Sequence, residues 1–171
     1  MKIIKIITTL FVLVVLLSSC GSNGSDKEQK QISKELGIDV SDGTVMKSSD
    51  THGGFHGDGT TFIELSFSDE NCLEEIKKNS DWKQLPLTDN LTALVYGKVI
   101  GQTSEGPYLT DENSDTLFPK IQNGYYYFCD THTESVNHED DSDVLNRYSF
   151  NFTIAIYDND TEILYFSKFG T

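Results

Sequence analysis

The chain is 171 residues and 19.2 kDa, with 27 acidic against 13 basic side chains and a formal net charge of −14. That length suits one ordinary domain, and 10 Phe, 8 Tyr and 1 Trp among 37% hydrophobic residues supply a core, which excludes wholesale disorder. The acidic balance and a single arginine, Arg147, exclude a nucleic-acid surface, because that affinity comes from Lys and Arg displacing counterions.

In chain order, the amino terminus comes first. Lys2 and Lys5 form a short basic start, and Ile6 to Leu17 is apolar except for Thr8 and Thr9. Twelve residues cannot cross roughly 30 Å of hydrocarbon, which takes about 20. The run fits the apolar region of a secretory signal peptide. It ends in Leu17-Ser18-Ser19-Cys20, which resembles the lipobox of bacterial lipoproteins: an aliphatic residue, two small residues and a cysteine. The resemblance covers residues 1–20 only. It implies cleavage after residue 19, a diacylglyceryl group on the Cys20 thiol, and anchoring to the cell membrane on its extracytoplasmic face. Two acyl chains hold a protein durably where one does not. Loss of Lys2 and Lys5 takes the formal charge from −14 to −16, so an anionic bilayer repels the body of the protein. Residues 20–30 are Gly/Ser/Asn-rich or polar and read as a flexible tether reaching about 17 Å.

Residues 31–171 read as one domain. Ile32 to Leu36 is predicted as a short helix stopped by Gly37, and Thr44–Ser49 and Thr61–Phe67 as strands. Ser68 is placed as the N-cap of a helix running through Asn79, with Leu73 and Ile76 on its apolar side. Asn90–Tyr96 leans toward helix, whereas 101–123, with Pro107 and Pro119, reads mostly as loop. Tyr125–Asp130 is a strand. From Tyr148 to Tyr157 the aromatic and β-branched residues alternate as in a half-buried strand, and Glu162–Phe169 returns after the turn at Asp158-Asn159-Asp160. The expectation is an α+β fold: an antiparallel sheet of about five strands with one main helix packed on a face.

Few residues suggest chemistry. The segment from Asp50 to Gly59 sets His52, His56, Asp50 and Asp58 among four glycines, a ligand type suited to zinc, nickel or copper. Further ligands would have to come from His132 or His138, in a second loop with Glu139, Asp140, Asp141 and Asp143. Gly and Asp are also ordinary turn residues, and the spacing fits no named metal motif. No cofactor beyond such a divalent metal is implied. Cys72 and Cys129 are an even pair that an extracytoplasmic location allows to bridge, or two buried thiols. The tripeptide Asp-Thr-His occurs at 50–52 and again at 130–132, a coincidence of a size expected by chance. No catalytic motif stands out. The sequence therefore points to a membrane-anchored module that binds a protein or small ligand without catalysis, with a metal-binding lipoprotein and a cell-surface hydrolase as rivals.

Overall fold

The computed structural model describes residues 22–53 and 57–171. The signal peptide, Cys20 and His56 lie outside the described residues. The elements are α1 (Ser22–Leu36), β1 (Thr44–Asp50), β2 (Gly59–Ser66), α2 (Asn71–Lys78), β3 (Trp82–Gln84), α3 (Asp89–Tyr96), β4 (Lys98–Ile100), β5 (Thr103–Glu105), β6 (Gly124–Asp130), β7 (Asn151–Asp158) and β8 (Ile163–Gly170). Six strands form one antiparallel sheet in the order β1-β2-β8-β7-β6-β3, while β4 and β5 pair separately. The class is α+β as expected, with more strands.

The larger difference is that both faces of the sheet are covered. On one face Ile32 and Leu36 of α1 and Cys72 and Ile76 of α2 pack with Ile63, Leu65, Ala155, Tyr157 and Phe166. On the other, Leu91, Leu94 and Val95 of α3 join Leu109, Phe118 and Val144 against Phe62, Phe128, Phe152 and Ile154. This second layer explains why β7 is buried almost continuously, from Phe152 to Tyr157, and not on alternate residues. The strand begins at Asn151, and Tyr148, expected on its buried side, is fully exposed. Residues 106–123 are irregular, as read, yet Leu109 and Phe118 drop into the core from between the prolines.

Side-chain bonding sets three local features, of which the first two are corrections and the third is as expected. First, α1 begins at Ser22, inside the segment composed like a coil. Gln29 is buried, and its amide donates to the carbonyls of Val40 (3.1 Å) and Gly43 (2.6 Å), so the folded body starts before residue 31. Its spacing of three and seven from Ile32 and Leu36 makes one helical face. Gly37, at φ +65°, ends the helix as placed, and Trp82 Nε1 donates to the carbonyl of Leu36 (3.2 Å). Second, α2 starts at Asn71 and not after Ser68, because the Asp69 carboxylate takes the Asn71 N–H (3.0 Å). Third, α3 does form, capped by Thr88, whose hydroxyl accepts from the N–H of Leu91 (3.2 Å).

Cys72 and Cys129 are free thiols, not the bridge that an even count permits. Burial, then the nearby Glu75 carboxylate, pushes the Cys72 thiol up to about 12. Burial also raises the Cys129 thiol. Neither is poised as a nucleophile at neutral pH.

Candidate functional site

Strand direction puts both histidine-bearing loops at one end of the sheet. The β1–β2 loop spans residues 51–58 and the β6–β7 loop residues 131–150. Only β8 lies between the two hairpins, while β1 and β6, which carry Asp50 and Asp130, stand four strand spacings or about 19 Å apart.

The repeated tripeptide closes the two hairpins in the same way. In each, the aspartate carboxylate takes the N–H of the histidine two residues on: Asp50 from His52 (2.9 Å) and Asp130 from His132 (3.1 Å). In each, the threonine donates both its N–H and its hydroxyl to one carbonyl of the returning strand: Thr51 to Thr60 (3.0 and 3.3 Å) and Thr131 to Asn151 (2.7 and 3.1 Å). Asp-Thr-His is thus a strand-exit device here. The aspartate turns the chain and the threonine locks the turn to its neighbour.

The two copies diverge at their side chains. At the first, Asp50 Oδ1 also meets His52 Nδ1 at 2.7 Å, and Thr61 Oγ1 lies 3.2 Å from the same nitrogen. The N–H of His52, then its ring, holds the Asp50 carboxyl below the usual aspartate range. Gly59 makes this close approach possible: at φ +155°, a Cβ there would fall 2.6 Å from the His52 backbone. Of the proposed ligand set, Asp50 and His52 come together, Asp58 is exposed, and His56 lies outside the described residues. Among the described residues no three metal-ligating side chains converge.

At the second copy Asp130 is a hub. It is 1% exposed and takes Arg147 bidentately, Nη1 on Oδ1 (3.3 Å) and Nη2 on Oδ2. Its carbonyl accepts from His138 Nδ1, and its N–H donates to the His138 carbonyl (2.7 Å). One residue therefore grips its loop near the start, at the middle and near the end. Other elements fasten the same loop from outside. Asn90 Nδ2 donates to the Asp141 carbonyl (2.8 Å), Thr88 Oγ1 to the Asp141 carboxylate, and Lys83 Nζ to the Glu139 carbonyl (3.3 Å). Val144 plugs the loop into the core.

A cavity of about 440 Å³ opens under this loop, lined by Glu134, Asn137, Asp140, Asp143, Asn146 and the Asp130–Arg147 pair. Beside it His132 Nε2 meets Ser149 Oγ at 2.9 Å. The Glu134 N–H donates to His132 Nδ1 (3.2 Å), so that nitrogen carries the lone pair and Nε2 carries the proton. The imidazole faces Ser149 as a donor and not as a base. A serine hydrolase needs the opposite arrangement.

Sequence reasoning singled out the histidines of this loop and missed Asp130, Arg147 and Ser149, which organise it. The one available signal was the lone arginine lying 17 residues from a strand-ending aspartate. Comparison with protein-family models, with curated proteins and with solved structures finds no match to this chain.

Proposed function

We propose that the chain is a lipoprotein, anchored through acylated Cys20 to the extracytoplasmic face of the cell membrane, whose domain is a non-catalytic binding module. The β6–β7 loop is the observation that carries the binding half. A hairpin connection this long is uncommon, and when ordered it usually presents a surface. Here a buried ion pair, two helix-borne donors and a core plug hold it over a polar cavity. The proton placement at His132 favours binding over hydrolysis.

The anchoring half rests on the lipobox. The correction to α1 changes the spacer: a helix begins two residues after Cys20 in place of a coil. The helical residues 22–28, ahead of buried Gln29, rise only about 10 Å, so a short stalk and not a leash would stand the acidic domain off the bilayer. Among the described residues, no helix is long and apolar enough to cross a membrane. Cys20→Ser is expected to shift the protein from the membrane fraction to the soluble extracytoplasmic fraction. A variant that stays membrane-bound contradicts the anchor.

One observation favours a second reading, metal binding at the β1–β2 loop. Asp50 orients His52 through Nδ1, which leaves Nε2 as a preset ligand in the manner of carboxylate–histidine–metal sites. His56 and Asp58 would complete the set. Calorimetric titration of the full chain with zinc, copper and nickel tests this reading. It predicts submicromolar binding that His52→Ala/His56→Ala abolishes, and binding indifferent to those changes retires it.

A further inference from the structure

The outer edge of the sheet points to a partner. β1 is a terminal strand of seven residues, all exposed except the half-buried Val45. Thr51 donates its N–H to the Thr60 carbonyl, and the register continues through Ser49 opposite Phe62 and Lys47 opposite Glu64. Antiparallel ladders bond alternate residues, so Lys47, Ser49 and Thr51 face β2. The N–H and C=O groups of Ser48 and Asp50 therefore point outward. Among the described residues, no backbone partner meets them. The strand has no proline, and its one irregularity lies between Val45 and Lys47, before these groups. Such an edge is a template for another strand.

We infer that β1 pairs antiparallel with β1 of a second copy, joining two six-stranded sheets into one. Two antiparallel strands of a continuous sheet are related by a two-fold axis normal to it, which keeps every side chain on its own face. That symmetry allows the axis to pass through Ser48. Ser48 then lies opposite Ser48, Met46 opposite Asp50, and Lys47 opposite Ser49. No like charges face one another, and Met46, 62% exposed in the single chain, gains a neighbour.

Two further features fit a second copy. The second copy's Lys47 enters beside Ser49 on the face where Asp111, Glu112 and the first copy's own Lys47 line a cleft of about 580 Å³, which sets two cations against two carboxylates. The same axis leaves both α1 helices on one face of the joined sheet. The pairing goes beyond the anchoring and does not need it, because Cys20→Ser leaves β1 untouched.

The test is cross-linking of the full chain in phosphatidylcholine vesicles, with copper phenanthroline and oxygen as the oxidant. Bonded antiparallel pairs have Cα atoms about 5.5 Å apart, within disulfide reach. Ser48→Cys is expected to give a covalent dimer at least tenfold more efficiently than Asp160→Cys, an exposed site at the opposite end of the sheet. Equal yields, or no dimer from Ser48→Cys, overturn the proposal. Hydrogen exchange on the unaltered chain covers the chance that the variant misfolds. The Ser48 and Asp50 amides are expected to be protected, and Ser48→Pro, which removes an outward N–H only, is expected to expose Asp50 while Lys47 and Ser49 stay protected. Free exchange at Ser48 and Asp50 in the unaltered chain also overturns it.

Discussion

Arg147→Met is expected to lower the stability of the domain by about 3–5 kcal/mol, because it strands a buried carboxylate. The Asp130 side chain is 2% exposed and that of Arg147 only 11%, so solvent cannot replace the lost partner. The remaining donor to the Asp130 carboxylate is a single backbone N–H, that of His132. In a domain of this size the loss corresponds to a fall of roughly 10 °C in Tm, read by thermal unfolding. Adding Asp130→Leu to Arg147→Met is expected to recover about half of the loss, since the stranded charge goes even though the His132 bond is lost as well. A small effect of Arg147→Met alone would mean that the pair is solvated and the loop is not fixed by it. The same variant is expected to speed amide exchange across residues 131–150 more than in β7 or β8, because the grip on the loop is local.

The second large effect is expected at Phe152. It is 1% exposed and sits among Phe128 (5.9 Å between ring centroids), Phe150 (6.3 Å) and Phe169 (5.4 Å), directly opposite Asp130 in the ladder. Phe152→Ala empties the centre of that aromatic group and is expected to remove about 3–5 kcal/mol. Phe152→Leu keeps most of the volume and is expected to stay within about 1.5 kcal/mol of the parent. Denaturant unfolding of the two variants measures the difference. Near-equal losses would mean that the cluster collapses around the gap and does not support the loop end of the sheet.

The hairpins of the carboxy-terminal third were legible because alternation is a strong signal. From Phe150 to Ile156 every second residue is Phe or Ile, and Asp158 takes the Asp160 N–H at 3.0 Å to make the expected turn. The second covering layer was not legible. Leu109 and Phe118 stand in a stretch rich in turn residues and flanked by prolines, where no period exists to read. Only the sheet beneath gives those side chains a place to go. α1 hid for a related reason. Its composition signals coil, and three inward residues, Gln29, Ile32 and Leu36, are enough to hold the helix once Val40 and Gly43 supply acceptors.

The candidate site was half legible. Histidines and aspartates marked both loops, and Asp50 and His52 do meet. The role of Asp130 depended on Arg147, far along the chain, and such pairing is set by tertiary packing and not by local pattern. The twice-used Asp-Thr-His looked like coincidence until both copies were seen at equivalent strand exits. Its meaning is structural in both places, and only the side chains around each copy separate a histidine oriented by carboxylate from one turned to a serine.

The anchor at Cys20 is the central claim, and the mass of the mature amino-terminal peptide, isolated from the membrane fraction, tests it most directly. The account predicts a peptide that begins at Cys20 and carries a diacylglyceryl thioether. A peptide that retains Met1, or an unmodified thiol at Cys20, would contradict it.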